Sequence, residues 1–339
     1  MYFDYITLAP EAQKGLIEAS ALQMKVDPII IEKDLWVVLT LQALFDRIHD
    51  YNACQALTFK GGTSLSKAYQ IIERFSEDID ITIDRKFLGL QASDEELKNL
   101  SRKQRDKTLA ELNDRGHKFI ETHILPYLKA KLSSLVATEI KFNNEDFLSL
   151  EIFYPTRLRP AYNSYVKSRI YVEFGVRGDS YPTETKNVRS YLHEKIKQIN
   201  DLCVPVNVLL PIRTFFEKVT LLRAEAHAEG TRQRISRHYY DLHQLAKQGY
   251  LEKAKTQLEL LKNVIAHKSL FFASKKASYE TIYSSGLRLL PPKEGLHDIQ
   301  MDYQEMGVMI FGENPPFEAV INSIKEIEIV LNDKIMSTM

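Results

Sequence analysis

The stretches Phe59-Lys-Gly-Gly-Thr-Ser-Leu-Ser-Lys67 and Asp78-Ile-Asp-Ile-Thr-Ile-Asp84 decide the predicted fold. The first continues an apolar run over residues 56–60 and meets a glycine pair, which predicts a strand that stops at a tight turn. The second alternates strictly between polar and apolar residues, which predicts a strand with one buried face. We therefore expect two strands joined by a turn and a short helix, with aspartates on the polar face of the second strand.

The glycine turn has the composition of a phosphate-binding loop. The backbone of a glycine pair can approach a ligand closely, and a helix capped by Thr63 or Ser64 and running over residues 65–74 offers N–H groups to anionic oxygens. A lone glycine pair is more often only a turn, and a Walker A loop is excluded because Lys67 follows a serine. The predicted nucleotide-binding residues are Gly61, Gly62, Thr63, Ser64 and Lys67.

Three carboxylates form a candidate catalytic metal site. Asp78 and Asp80 lie two apart on a strand, so both project from one face, where they could share divalent cations that bridge triphosphate oxygens. Glu173, inside Tyr-Val-Glu-Phe-Gly, is the candidate third ligand, because an acid flanked by apolar residues on a strand points away from the core. The alternatives are a solvated polar face for the aspartates and an outward-facing surface acid for Glu173. The nearby glycine turn favours the catalytic interpretation.

The order of elements predicts an α+β protein with two domains. Residues 1–205 read as a domain with N-terminal helices and a helical insertion near 88–135, and residues 206–339 read as a helical domain. Further strands are predicted over residues 137–143, 147–154, 168–176 and 204–210. Helices are predicted from Pro10 onward and over residues 28–49, 93–135, 212–229, 236–248, 251–266 and 315–332.

The composition excludes several classes of protein. The 339 residues are 44% hydrophobic with only 13 Gly and 12 Pro, which excludes collagen-like, low-complexity and disordered chains. The 45 basic and 45 acidic residues give no net charge, which argues against a globally basic nucleic-acid-coating protein. Cys54 and Cys203 match no metal-ligand spacing and fit a reducing compartment. We expect a cytoplasmic protein that does not engage membranes, because no secretory signal pattern is visible and the apolar run 35–45 is too short to span a bilayer.

A second group of charged residues lies in the helical half. Arg213 and Glu217 are four apart and can share a helix face, whereas the helix pattern alone makes Lys218 an ordinary solvated lysine. Arg237 and Asp241 are also four apart, and a local ion pair between them is the simplest interpretation. A polar stripe in a helix rich in Tyr and Leu equally suits a cleft that faces another domain.

The helical half is also locally basic. This basic set either contacts RNA or is an ordinary solvated face, and comprises Arg232, Arg234, Arg237, Lys247, Lys253 and Lys255. The histidines His227, His238 and His243 lack zinc-ligand spacing, so we interpret them as ordinary histidines.

The sequence resembles the AbiEii/AbiGii-type nucleotidyltransferase toxins of bacterial toxin–antitoxin and phage-abortive-infection systems. The blocks that carry the resemblance run in the expected order over about residues 30–245, and the glycine–aspartate block is the most specific. They are Ile31-Glu-Lys-Asp34 with Trp36, Lys60–Lys67 with Arg74–Asp80, Val172-Glu-Phe-Gly175, and Arg213–Lys218 with Arg237–Leu242. One departure is Arg-His-Tyr-Tyr-Asp, where the family has an acid or a lysine before the tyrosine.

This resemblance implies a polymerase-β-like nucleotidyltransferase fold, with a mixed sheet flanked by helices, followed by a helical domain. It implies that Gly62 and Ser64 hold the triphosphate of an NTP, and that Asp78 and Asp80 bind Mg²⁺, with Mn²⁺ as the alternative ion. It further implies that Lys218 and Asp241 are essential residues. The expected partners are the NTP, an RNA acceptor such as a tRNA, and a cognate antitoxin protein.

Three functional hypotheses follow. The leading hypothesis is a Mg²⁺-dependent enzyme that moves a nucleoside monophosphate from an NTP to an RNA end, with a tRNA 3′ end as the expected acceptor. The second keeps the chemistry but makes a protein the acceptor. The third is a nucleotide-binding interaction module without catalysis, which the retained Asp78, Asp80 and Lys218 argue against.

Overall fold

The computed structural model describes residues 4–45, 56–158, 168–196, 203–228, 230–274, 277–312 and 314–337. The chain divides into two compact units. Unit 1 comprises Met1–Tyr69, Phe75–Gln91 and Asp106–Val208, and unit 2 comprises Gln70–Arg74, Ala92–Arg105 and Leu209–Met339. Cys54 and the end of the helix predicted over 28–49 lie outside the described residues.

Unit 1 is built on a seven-stranded mixed sheet. The strands are β1 (Leu57–Lys60), β2 (Asp78–Ile83), β3 (Glu139–Phe142), β4 (Ser149–Phe153), β5 (Arg169–Gly175), β6 (Thr183–Val188) and β7 (Val204–Leu209). Their order across the sheet is β3-β4-β5-β2-β1-β7-β6. Strand β2 is antiparallel to β1 and parallel to β5, so the two strands that carry the candidate carboxylates are direct neighbours.

One face of the central strands forms the core of unit 1. Ile79, Ile81 and Ile83 of β2 are fully buried, whereas the alternating residues Asp78 and Asp80 are only partly buried. Burying an isoleucine side chain contributes about 1.5–3 kcal/mol, so this alternation determines which face of β2 packs inward. The aspartates are therefore held on the opposite face.

Helices precede and connect the strands of unit 1 and form most of unit 2. In chain order they are α1 (Asp4–Thr7), α2 (Pro10–Met24), α3 (Pro28–Phe45), α4 (Gly61–Lys67), α5 (Asp94–Asn99), α6 (Arg102–Phe119), α7 (Leu125–Ser133), α8 (Tyr191–Lys195), α9 (Pro211–Ala226), α10 (Ser236–Lys247), α11 (Tyr250–Thr256), α12 (Leu258–Phe271), α13 (Ile282–Ser285), α14 (Lys293–Met306) and α15 (Phe317–Ser337). A π-helical turn, Ile120–Ile124, joins α6 to α7. Unit 2 contains α5 and the helices from α9 onward, and residues 106–135 group with unit 1.

The predicted α+β class and the strands of unit 1 are confirmed, with two differences. The helix predicted over residues 65–74 is wrong in its bounds, because α4 begins at Gly61 and ends at Lys67. Strand β6 was not predicted, since its sequence Thr-Glu-Thr-Lys-Asn-Val is polar and only Val188 is buried. An edge strand needs no apolar face when backbone pairing holds it.

In unit 2 the helix predicted over residues 251–266 is two helices, α11 and α12, separated at Gln257. Helix α14 was not predicted because polar residues dominate it and only Ile299, Tyr303 and Met306 are buried. A capping box begins α5, since Ser93 Oγ accepts from Glu96 N and the Glu96 side chain accepts from Ser93 N. Among the described helices, none is long and apolar enough to cross a membrane.

Candidate active site

The turn after β1 is shaped by Gly61. Its φ is +77°, a left-handed conformation that L side chains rarely adopt, and a Cβ atom at this position would overlap the Asp80 carboxylate. Glycine is therefore required here for both conformation and space. The consequence is that the backbone at the start of α4 lies directly beside the carboxylate of Asp80.

The hydroxyls of Thr63 and Ser64 are used inside the fold. Thr63 Oγ1 donates to the backbone carbonyl of Asp78, and Ser64 Oγ donates to the carbonyl of Gly61 at 2.9 Å. Both side chains are fully buried. The Thr63 bond fastens α4 to the start of β2, and the Ser64 bond closes the first turn of α4, while the role of both residues as nucleotide ligands stays a prediction.

The strand register gathers the three predicted carboxylates on one face of the sheet. Asp80 of β2 lies opposite Glu173 of β5 in the parallel pair, and Asp78 lies opposite Tyr171. Side chains of residues directly opposite on neighbouring strands project to the same face, and residues two apart on one strand do so as well. Asp78, Asp80 and Glu173 thus share a face, with Glu173 the most exposed of the three.

The shared face of β2 and β5 presents carboxylate oxygens as donor atoms for a divalent cation. Carboxylate oxygens are the ligands that Mg²⁺ and Mn²⁺ prefer, and Mg²⁺ is commonly held by one or two carboxylates plus substrate phosphates. Within the described ranges, no three His, Cys, Asp or Glu side chains are close enough to form a ready-made metal cage. A metal ion on this face would therefore need further ligands from a bound nucleotide, and metal binding by Asp78, Asp80 and Glu173 stays a prediction.

Lys67 lies in a buried ion pair. Its Nζ is 2.8 Å from Asp34 Oδ1 and 3.5 Å from the centre of the Tyr191 ring, and both charged side chains are buried. The other Asp34 oxygen accepts from the backbone N–H of Tyr191 at 2.6 Å. Burial raises the pKa of Asp34 above its ordinary value, although Lys67 opposes this effect. Lys67 thus joins α4 to α3 and α8, and phosphate binding by Lys67 stays a prediction.

Helix α3 places three consecutive charges in the interior of unit 1. Glu32, Lys33 and Asp34 are each at most 2% exposed. Lys33 Nζ is 2.6 Å from Glu77, the residue that precedes Asp78, while the Glu32 carboxylate accepts from Thr156 Oγ1 at 2.6 Å. Buried charges are tolerated when they are paired and hydrogen-bonded. The block Ile31-Glu-Lys-Asp34 is therefore tied to the residue before Asp78 through Lys33 and to α4 through Asp34.

The second group of predicted residues surrounds Asp241 in unit 2. The Asp241 side chain is fully buried, with Lys218 Nζ 2.8 Å from Oδ2. Arg74 donates from Nε to Oδ1 at 2.8 Å and from Nη2 to Oδ2 at 2.9 Å. Burial alone would raise the pKa of Asp241, but Arg74 and Lys218 together hold it well below its ordinary value. Asp241 is thus an ionised carboxylate whose two oxygens both bind cations.

Arg74 is the residue that sequence reasoning missed. It belongs to unit 2 although it precedes β2, and its backbone pairs with Ile310 in an isolated bridge, next to a 2.7 Å bond from Phe311 N to Glu73 O. Arg74 and Asp241 are 167 residues apart, so no local spacing could reveal the pair. The only available signal was that Arg74 opens the block that ends at Asp80.

Lys218 is not the solvated lysine that the helix pattern suggests, because its side chain is only 7% exposed. It also lies 3.2 Å from Nδ1 of His238. Burial, together with Lys218 and Arg237, lowers the pKa of His238 well below its ordinary value, so the ring is neutral at pH 7. An ammonium group can only donate, so Nδ1 accepts and the ring proton lies on Nε2.

Several other charged residues of unit 2 have ordinary partners. Arg213 and Glu217, which the spacing allows to share a helix face, form an ion pair at 3.3 Å. In the basic set, Arg232 lies 3.2 Å from Glu225, Lys255 lies 2.5 Å from Glu252, and Lys253 lies over the ring of Tyr250. RNA binding by this set stays a prediction. His243 Nδ1 is 2.7 Å from Ser323 Oγ, in keeping with an ordinary histidine.

A comparison with known protein families identifies the family of this chain. A sequence profile of the family described as nucleotidyl transferase AbiEii toxin, type IV toxin–antitoxin system, matches residues 42–323. The chain belongs to this family. The predicted family and the prediction of a nucleotidyltransferase enzyme that acts as a toxin of a toxin–antitoxin system are confirmed. Membership also implies an NTP substrate, a divalent metal and a cognate antitoxin.

A solved structure supports the fold of this AbiEii-family protein. The nucleotidyltransferase toxin MenT4 of Mycobacterium tuberculosis H37Rv is similar over 95% of this chain and 91% of its own, with a TM-score of 0.50 and 15% sequence identity. At this identity the similarity concerns the fold alone, and it confirms the predicted nucleotidyltransferase architecture. No curated protein sequence matches the chain.

Proposed function

We propose that this protein transfers a nucleoside monophosphate from an NTP to the 3′ end of an RNA, with tRNA as the acceptor and Mg²⁺ as the metal. The observation that carries the proposal is the sheet register that places Asp78, Asp80 and Glu173 on one face beside the Gly61 turn. Membership of a nucleotidyltransferase family agrees with this chemistry. The tRNA acceptor rests on the family resemblance and on the basic set of unit 2.

In the proposed reaction, the 3′-hydroxyl oxygen of the acceptor forms a bond to the α-phosphorus of the NTP. The bond between that phosphorus and the oxygen that bridges it to the β-phosphate breaks, and pyrophosphate leaves with the electron pair. Glu173, the most exposed carboxylate of the face, accepts the hydroxyl proton. A metal held by Asp78 and Asp80 would neutralise charge that develops on the phosphoryl oxygens.

The buried network of unit 2 indicates how Asp241 would act. Since both of its oxygens bind cations and its side chain is fully buried, we propose that Asp241 positions Lys218 and does not itself touch the acceptor or the nucleotide. Lys218 would then supply the cation that neutralises phosphate charge, a role that needs a positive charge but no particular fork geometry.

Label transfer tests this proposal directly. Purified protein is incubated with Mg²⁺, total tRNA and each α-³²P-labelled NTP in turn, and Asp80→Asn serves as the control because it keeps the shape of the side chain while removing its charge. We expect label in RNA with one or more NTPs, and a loss of at least about a thousandfold with Asp80→Asn. Label in a protein band would instead establish a protein acceptor. NTP binding without transfer would establish a binding module.

A further inference from the structure

Lys60 belongs to the same face of the sheet as the predicted catalytic carboxylates. It ends β1, and the antiparallel register with β2 places it directly opposite Asp80. Asp80 in turn lies opposite Glu173 on β5, and Glu173 lies opposite Ser149 on β4. Residues paired in this way project to one face. One row across four strands therefore runs from Lys60 through Asp80 and Glu173 to Ser149.

Three buried lysines of the molecule are already neutralised by carboxylates. Lys33 pairs with Glu77 at 2.6 Å, Lys67 with Asp34 at 2.8 Å, and Lys218 with Asp241 at 2.8 Å. Lys60 differs from them, because its ammonium has no ion pair or hydrogen bond within the residues that the structure describes, although its side chain is partly buried. A cation that the fold leaves without a carboxylate partner can pair with an anionic group of a ligand.

Two glycines are close neighbours of the Lys60 ammonium. A Cβ atom at Gly178 would lie 3.3 Å from Lys60 Nζ and 2.7 Å from Thr82 Oγ1, and one at Gly175 would lie 3.8 Å from Lys60 Nζ. Any larger residue at these two positions would occupy space next to the ammonium. The lack of side chains at Gly175 and Gly178 therefore leaves room for the Lys60 ammonium itself, which lies beside the end of β5 and the residues after it.

We propose that the Lys60 ammonium binds a phosphate of the incoming NTP. This inference rests on the proposed function and adds a substrate-binding residue to it. Three carboxylates on the same face repel a polyanionic substrate, and a cation in their row weakens this repulsion. Lys60 is also the residue directly before Gly61, whose backbone lies beside the Asp80 carboxylate. Because the NTP phosphates are predicted to bind at this turn, we assign the Lys60 ammonium to the NTP and not to the phosphates of the RNA acceptor.

The test compares full-length wild type with Lys60→Met and Lys60→Arg. ATP, CTP, GTP and UTP are titrated by calorimetry in Mg²⁺, and KM and kcat are then measured for the preferred NTP and for tRNA. We expect Lys60→Met to weaken NTP binding and raise the KM for NTP by about tenfold to a hundredfold, because a charge-assisted bond is lost. The KM for tRNA stays within twofold, and Lys60→Arg recovers part of the NTP affinity.

The matched control is Lys141→Met, which removes an exposed lysine of β3 that pairs with Glu139 at 3.4 Å. It should leave every constant within twofold. Thermal unfolding and circular dichroism of each variant separate a binding defect from a folding defect, and if Lys60→Met does not fold, the Lys60→Arg and Lys60→Gln variants decide.

An unchanged NTP affinity and KM in Lys60→Met, or a rise in KM for tRNA alone, overturns the assignment of Lys60. That outcome leaves the proposed function intact, since the wild type still transfers label. A wild type that neither binds NTP nor transfers label overturns the proposed function and this inference together. The two failures are therefore distinguishable.

Discussion

Two fully buried aspartates, one in each unit, have opposite electrostatics. Asp34 in unit 1 faces one ammonium, that of Lys67, and burial raises its pKa. Asp241 in unit 2 faces the guanidinium of Arg74 as well as the ammonium of Lys218, and these two cations lower its pKa in spite of complete burial. Similar desolvation thus leads to opposite shifts, because a second cation outweighs the desolvation of the carboxylate.

The opposite pKa shifts of Asp34 and Asp241 predict different consequences when a buried ion pair is broken. A carboxylate with a raised pKa can accept a proton when its partner is lost, which limits the cost of the loss. A carboxylate that neutralises two cations has no such substitute, because its removal leaves two buried positive charges. We therefore expect Asp241 to matter more for the stability of its unit than Asp34 does, and we expect loss of Asp241 to displace Lys218.

The largest expected effect is that of Asp241→Leu. Leaving Arg74 and Lys218 buried without a counter-charge should lower the free energy of unfolding by about 3–5 kcal/mol, as measured by urea denaturation. The control is Glu252→Gln, at a side chain that is 71% exposed and pairs with Lys255, and it should change stability by less than about 0.5 kcal/mol. A loss below about 1 kcal/mol for Asp241→Leu would show that the three-residue network is not needed for folding.

A smaller effect is expected for Lys67→Met. Asp34 is then left without its cation and takes up a proton, so the loss should be about 1–3 kcal/mol. The double variant with Asp34→Leu should recover much of this loss, because an apolar pair avoids the desolvation of both charges. If the folded Lys67→Met variant binds NTP as tightly as wild type, Lys67 only stabilises the fold. If the folded variant loses NTP affinity, the predicted phosphate contact of Lys67 is supported.

The smallest effects concern pH, and they have opposite signs for the two aspartates. A lowered pKa means that the stabilisation by Asp241 is complete above its unfolded pKa, about 3.9, and is lost only as the pH falls toward the folded value. The stability difference between wild type and Asp241→Asn should therefore stay constant from pH 5 to pH 8 and shrink below about pH 4. A stability difference that instead grows as the pH falls from 8 to 5 would contradict a lowered pKa of Asp241 in the folded protein.

For Asp34 the sign is reversed. Its raised pKa means that folding is favoured by the protonated form, so its contribution is greatest below the unfolded pKa and declines as the pH rises through the folded value. The loss of stability in Lys67→Met should accordingly be larger at pH 8 than at pH 5, measured by denaturation midpoints in matched buffers. A loss that is independent of pH would indicate that Asp34 stays ionised without Lys67.

Short-range patterns predicted the elements that form the candidate site. Strict alternation over Asp78–Asp84 identified β2 and its polar face, since side chains of a strand alternate whatever the strand pairs with. The same logic failed for α4, where the glycines were assigned to a turn although they begin the helix. Strand β6 and helix α14 were missed because their sequences are largely polar and few of their side chains are buried.

The sequence by itself determined the class of the fold, the family and the face on which Asp78 and Asp80 lie, because these depend on local periodicity and on motifs within one stretch of chain. Only the tertiary structure decided the partners: Lys67 with Asp34, Lys218 and Arg74 with Asp241, and Lys60 in the row with Asp80. Partners depend on strand register and on contacts between distant segments, and the stability of a buried charge depends on which other charges the fold brings to it.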